Sequence, residues 1–209
     1  MTIALINASP RGKLSTSLKL LGEVKKLLPQ DIQTYQLMAN KEKLKEEDIE
    51  LLKKSDIWLF ANSLYIDSLP GHLLYILMQL EQECRQSHKV YAILNCGFFE
   101  AKQNTSALRV YENWCKKSGY EWCGGIGFGG GGAIAFMPEQ VPLNAGPLKA
   151  LGKAFIKLSD CIKKGNIIEN TYVSFAFPRF LYLKMAHYSW KKAAKKNGLK
   201  TKDLYRKPY

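Results

Sequence analysis

The chain has 209 residues, enough for one domain or for one domain with an appendage, and its 46% apolar content can supply a sizeable core. Lys and Arg number 31 against 18 Asp and Glu, yet residues 165–209 hold ten of those bases against two acids, leaving 21 against 16 elsewhere. The net charge of +13 therefore belongs more to the tail than to the body, which disfavours nucleic acid as a partner of the main domain.

In chain order, "TIALINA" (2–8) predicts a first strand, and Leu18, Leu21, Val24 and Leu28 place a helix behind it that ends at Pro29. "IQTYQL" is a second strand. "KEKLKEEDIELLKK" is a short amphipathic helix with Leu44, Ile49 and Leu52 inward. "DIWLFANSL" is nearly continuous in apolar residues, as a strand of a parallel sheet covered on both faces should be. Pro70 and Gly71 open a helix that aligns Leu73, Leu77, Leu80 and Cys84. "KVYAILNC" is a fourth strand, followed by a helix with Ala107, Val110, Tyr111 and Trp114 on one side. "YEWCGGIGF" is a fifth, and a last helix runs from about Pro147 through Leu151, Phe155, Leu158 and Ile162. Five strands alternating with helices predict an α/β fold with a doubly wound parallel sheet over residues 1–164.

Residues 165–209 form a different kind of segment, with nine of the 24 aromatics of the chain. Disordered tails are poor in aromatics, so this extension is expected to be ordered. "PRFLYLKMAHYSWKKAAKKNG" reads as a helix, apolar in its first half and basic in its second, stopped at Asn197-Gly198. It either packs with its lysines solvated or makes a peripheral contact with an anionic membrane or an acidic partner. No apolar run reaches eighteen residues and no leader pattern opens the chain, so the expected location is cytoplasmic. The five cysteines form no C-x-x-C pair and do not cluster with the histidines, so no metal site is expected. Cys84, Cys115, Cys123 and Cys161 fall in apolar patterns and are expected in the core, whereas Cys96 falls in a loop.

In open α/β sheets, ligands bind beyond the carboxyl ends of the strands. Three loops there are unusual in this sequence. In "ASPRGKLSTS", Ser9, Arg11, Ser15, Thr16 and Ser17 surround the start of a helix. Hydroxyls, free amides and one guanidinium could hold a phosphate without a metal, and a simple helix cap explains the same residues. The terminal G-K-[ST] of a Walker loop and a G-x-G-x-x-G first turn are both missing. In "NSLYIDSLPGHLL", Leu64, Tyr65, Ile66 and Ser68 could line a flat ring, or simply form a loop that ends in a helix cap. In "NCGFFEAKQNTSAL", Asn95, Cys96, Gly97 and Phe98 offer close backbone approach and aromatic surface, or packing against the neighbouring loop.

Together "SPRGKLSTS", "LYIDSLPGHL" and "NCGFFE" resemble, in order and spacing, the flavin-contacting loops of the NAD(P)H-dependent FMN reductases, which have a flavodoxin-like fold. The resemblance covers about residues 1–164. It implies that Ser9, Arg11, Ser15, Thr16 and Ser17 hold the FMN phosphate, that Leu64, Tyr65, Ile66 and Ser68 line the isoalloxazine, and that Asn95, Cys96, Gly97 and Phe98 close over it. It implies a homodimer and NAD(P)H as co-substrate. Ser63-Leu64 stands where the family has Pro and an aliphatic residue, and Asn95-Cys96-Gly97 replaces a Gly-Gly pair. The cysteine cluster of the related iron–sulfur flavoproteins is missing between the second and third strands.

No Ser/His/Asp set or acid pair stands out, which suits chemistry carried by a flavin. The expected function is hydride and electron transfer from NAD(P)H through FMN to a small acceptor: a quinone, a nitro compound, a free flavin or an electron-poor alkene. An FMN electron carrier without nicotinamide turnover is one alternative. A non-redox α/β module docked by its basic tail to an anionic surface is another. The formal G-x-G-x-x-G of Gly127 to Gly132 follows the fifth strand and is read as a loop over the flavin or a contact across a dimer.

Overall fold

A computed structural model of the chain describes residues 1–134, 142–143 and 145–207. Tyr209, counted among the tail aromatics, lies outside them. The described chain divides into two units, Met1–Phe175 and Ala176–Tyr209.

The first unit is a parallel sheet in the order β2-β1-β3-β4-β5-β6. Its strands are β1 (Thr2–Asn7), β2 (Gln33–Met38), β3 (Ile57–Ser63), β4 (Lys89–Cys96), β5 (Glu121–Gly129) and β6 (Thr171–Val173). The first five match the apolar runs that predict them. The sheet has six strands, not five, because Thr171–Val173 pairs in parallel with Ile126–Phe128. Three residues without an apolar run carry too little periodicity to be read as a strand. The expected boundary after residue 164 therefore moves to Phe175.

The helices of this unit are α1 (Thr16–Leu27), α2 (Glu46–Lys53), α3 (Gly71–Glu83), α4 (Thr105–Ser118), the single turn α5 (Gly131–Ile134) and α6 (Lys149–Lys164). Strand side chains alternate between the faces of the sheet. Ala4, Ile6, Trp58, Phe60, Val90, Ala92 and Leu94 share one core with Ile49 and Leu52 of α2, Leu73 and Leu77 of α3, and Leu108 and Tyr111 of α4. The alternate positions, including Ile3, Leu5, Leu59 and Ile93, are equally buried, and α1 and α6 pack against each other.

Trp58 is fully buried. Its indole N–H donates to the Leu52 carbonyl (3.0 Å), and its ring stacks on His88 at 4.2 Å and meets Tyr120 edge-on at 5.0 Å. Cys84, Cys115 and Cys123 are buried as expected, but Cys161 is only half-buried, on the outer side of α6.

The second unit is α7 (Arg179–Lys196) followed by a 3-10 turn, Thr201–Tyr205. Asn197 caps α7, Gly198 takes φ +73°, and the Leu199 amide returns to the Ala194 carbonyl at 2.9 Å. Those are the residues that predict the stop.

Candidate functional site

Strand order makes β1, β3 and β4 neighbours, so the loops after them leave the same edge of the sheet. Backbone bonds tie the edge together: Ala8 N–H to Ala61 O (2.8 Å), Leu64 N–H to Asn95 O (2.8 Å), and Gly130 N–H to Cys96 O (3.1 Å) and Phe98 O (2.6 Å).

The first loop folds around Asn7. The Asn7 Nδ2 donates to Gly12 O (3.0 Å), and its Oδ1 accepts from the Ser9 amide (3.3 Å) and the Ser15 hydroxyl (3.2 Å). The chain then makes a 3-10 turn, Gly12–Leu14, entered through Gly12 at φ +54°. Any L side chain at that φ is strained, and a Cβ there would also sit 3.0 Å from the Asn40 amide nitrogen. Ser15 caps α1, its Oγ accepting from Leu18 N–H at 3.2 Å. The cap reading of this residue is therefore realised in the structure.

The other hydroxyls are drawn inward. Ser17 Oγ accepts from Asn95 Nδ2 (3.0 Å), Thr16 Oγ1 donates to Gly131 O (3.2 Å), and Ser9 Oγ accepts from the Arg11 amide (3.4 Å). Ser9, Ser15 and Ser17 are buried and Thr16 nearly so, while Arg11 and Lys13 are exposed. The backbone N–H groups at the start of α1 have no intrahelical acceptor. An anion reaching this loop therefore meets amides, the positive end of a twelve-residue helix and the Arg11 guanidinium. The serines shape that cradle more than they line it.

In the second loop, Tyr65 and Ser68 exchange both backbone hydrogen bonds at 3.0 Å, which closes a tight two-residue turn. Ile66 and Asp67 occupy its tip with φ +46° and +56°, the pattern of a type I′ turn. The Ser106 hydroxyl donates to the Asp67 carbonyl and holds the turn from α4. A β-branched residue with positive φ is strained by about 1–3 kcal/mol. Ile66 is nonetheless 99% exposed, so packing within the chain does not impose the conformation. Tyr65 is also exposed, whereas Leu64 and Ser68 are half-buried.

The third loop departs from expectation at Cys96. Its side chain is buried, with Sγ near Phe98 O (3.6 Å) and Glu100 O (3.8 Å) and receiving Asn104 Nδ2 at 3.5 Å. Burial pushes its thiol above the ordinary value. The Cys96 side chain thus braces the loop from within. Asn95 is likewise an internal strut, its Nδ2 donating to Ser17 Oγ and Asn62 O while its Oδ1 accepts from Ser63.

Gly97 and Phe98 are exposed. A Cβ built on Gly97 would meet nothing within 4 Å, so no neighbouring atom of the described chain requires the glycine. Gly129 is the opposite case. A Cβ there would strike the Phe99 carbonyl, and Gly127 and Gly129 are strand residues of β5 packed under this loop. The glycine run is thus used in part for close packing within the unit.

Sequence reasoning names Asn95 but misses the buried Asn7, Asn62 and Asn104. Asn7, Asn62 and Asn95 sit at or one residue before the ends of three apolar strands, and Asn104 closes the third loop on Ala101 O (2.9 Å) and Phe128 O (3.3 Å). Asn62 Oδ1 accepts from the buried Tyr111 hydroxyl at 2.8 Å. The signal was present: the same amide side chain recurs at or next to the end of three apolar runs. Among the described residues no three His, Cys, Asp or Glu side chains converge. A hollow of about 570 Å³ at the opposite edge, by Asp56, His88, Lys89 and Glu121, contains the Lys89–Glu121 ion pair (2.7 Å) and none of these loops.

No protein-family model matches the chain, and no curated protein matches it in sequence. Solved structures do match. The Trp repressor binding protein from Bacillus subtilis is 17% identical, with TM-score 0.55 over 75% of this chain and 96% of its own. An FMN-dependent NADH-azoreductase from Bacillus anthracis, solved in complex with FMN, is 13% identical, with TM-score 0.52 over 77% and 98%. A flavodoxin, WrbA-like protein from Agrobacterium tumefaciens is 11% identical, with TM-score 0.50 over 78% and 97%. These likenesses define the class of fold: the chain is a flavodoxin-like α/β protein.

Proposed function

We propose that this chain binds FMN and acts as an oxidoreductase, passing reducing equivalents from NAD(P)H to a small acceptor such as a quinone, a nitro compound, a flavin or an electron-poor alkene. The observation that carries the reading is the convergence of three unlike loops on one sheet edge: an anion cradle at α1, a strained exposed turn at Ile66-Asp67, and an open glycine beside exposed Phe98. The residues present fit the group. The phosphate matches Arg11 and the first amides of α1, and a flat ring matches the surface between Tyr65, Ile66, Gly97 and Phe98. The azoreductase of similar fold contains FMN.

Bound FMN supplies the hydride acceptor and the electron donor, so no acid, base or nucleophile of the chain has to form a bond. Arg11 neutralises the phosphate, with charge-assisted hydrogen bonds that also fix its direction. Asn7 and Ser15 hold the loop that presents it. Tyr65, Ile66 and Phe98 shed water from apolar surface when a planar ring or acceptor lies on them.

The purified protein should show, or take up, the flavin absorption bands, and these should bleach anaerobically on adding NADH or NADPH. Failure to reconstitute with FMN would refute the reading. Binding without bleaching by either nicotinamide would leave an electron carrier. Arg11→Ala should weaken FMN at least about tenfold while changing riboflavin little, as a lost charge-assisted contact requires. Equal losses for the two flavins would remove the phosphate role.

A further inference from the structure

The chemistry proposed above uses nothing from Ala176–Tyr209, and that unit has a surface of its own to explain. Along α7 six large apolar side chains are exposed between positions 180 and 190: Phe180, Leu181, Leu183, Met185, Tyr188 and Trp190. Phe180, Met185, Tyr188 and Trp190 are each more than half exposed. Single exposed apolar residues are ordinary, but six within eleven residues of one helix mark an interaction surface. Lys184, Lys191, Lys192, Lys195 and Lys196 are exposed on the same helix. The only acid of the unit, Asp203, accepts from the Lys200 amide at 2.7 Å.

The residues follow an order along the helix axis. Apolar side chains predominate first, with Lys184 among them, Tyr188 and Trp190 follow, and four lysines finish. At about 1.5 Å per residue the apolar part, Phe180 to Tyr188, spans about 12 Å. Phe180, Leu183 and Trp190, at i, i+3 and i+10, fall on one side of the helix, as an apolar stripe lying at the headgroup–acyl boundary does. No helix among the described residues is long and apolar enough to cross a membrane, which leaves docking on the surface.

We propose that α7 is an interfacial anchor that docks this protein on anionic lipid bilayers. Phe180 and Leu183 enter the acyl boundary, Trp190 on the same side sits at headgroup level, and Lys191, Lys192, Lys195 and Lys196 meet lipid phosphates. A second copy fits the face less well, since it would bring two sets of like charges together. An acidic protein would need separate surfaces for the apolar residues and the lysines, whereas an anionic bilayer offers both everywhere.

The test uses the full chain, sedimented with vesicles of phosphatidylcholine alone and of phosphatidylcholine mixed with phosphatidylglycerol. It needs no flavin, so its outcome is independent of the redox reading. The protein should sediment with the mixed vesicles only. Binding should fall at least about tenfold between about 0.1 M and about 1 M salt, as the screening length shrinks from about 10 Å to about 3 Å. Tryptophan emission should shift to the blue on binding, and Trp190→Phe should remove the shift.

The triple change Lys191→Glu, Lys192→Glu, Lys195→Glu should lower binding at least about tenfold. The pair Phe180→Ser, Leu183→Ser should also weaken it, with the melting temperature of Met1–Phe175 unchanged in both variants. No sedimentation with mixed vesicles would overturn the proposal, as would equal sedimentation with neutral ones or full binding by the lysine variant. Self-association abolished by the apolar pair, without vesicle binding, would assign the face to a second copy. Salt-sensitive retention on polyglutamate without vesicle binding would assign it to an acidic protein.

Discussion

Ile66 occupies a conformation that suits asparagine or glycine far better, at the most exposed point of its loop. Since the fold gains nothing from the side chain there, Ile66→Gly should relieve strain and raise unfolding stability by about 1 kcal/mol, measured by denaturant titration. The same change should weaken FMN or the acceptor if the apolar side chain serves the site. His88 is a second residue held against its preference. It is buried against Trp58, its Nδ1–H donates to Ser55 O at 2.8 Å, and its Nε2 has no partner among the described residues. Burial holds its pKa below the ordinary imidazole value, although the Ser55 bond and Asp56 pull the other way. The unfolded chain therefore takes up the proton first. Stability is intact above the ordinary value of about 6.5, is lost as pH falls through it, and levels off below the folded pKa. Comparing parent and His88→Phe between about pH 7 and about pH 5 should show a steeper loss in the parent; parallel curves would refute the assignment.

At the scale of elements, the start of α1 serves two purposes at once. Ser15 caps the helix through Leu18 N–H and is itself held by Asn7, so the loop that would meet a phosphate is also the one that begins the helix. Ser15→Ala should cost about 1 kcal/mol of stability. Asn7→Leu should cost more, about 1–3 kcal/mol, because the buried Ser9 amide and Ser15 hydroxyl lose the oxygen to which they donate. Both are read from urea midpoints, and a smaller loss for Asn7→Leu than for Ser15→Ala would count against the strut. The serines were legible as a polar cluster before a helix. That they point inward was not, because hydroxyls at this spacing satisfy a cap, a strut or a ligand equally well. Cys96 shows the same limit: its position at the end of a strand is visible in the sequence, while its burial depends on Asn104 and the carbonyls that surround it.

At the scale of the whole molecule, the end of the folded domain is the sharpest discrepancy. Beyond residue 164 the chain still supplies Asn166 O to the Tyr91 hydroxyl (2.8 Å), Ile168 to the core, Asn170 Oδ1 to Gly125 N–H (3.0 Å), strand β6, and Phe175 edge-on against Phe128 at 5.4 Å. A chain ended after Phe175 should unfold cooperatively near the parent temperature, and one ended after Lys164 should melt well below it. Equal melting of the two would return the boundary to residue 164.

Local chemistry alone determined five strands and their alternating helices, since an apolar run or a helical stripe is written in neighbouring residues. It also determined which loops carry unusual composition, and the apolar-to-basic polarity of the last helix. Only tertiary structure decided that β6 completes the sheet, that Asn7, Asn62, Asn95 and Asn104 are struts, and that Gly129 lies under a carbonyl. Those outcomes depend on which distant atom comes to within hydrogen-bonding or van der Waals distance. Such a distance is set by strand order, and no single segment contains it.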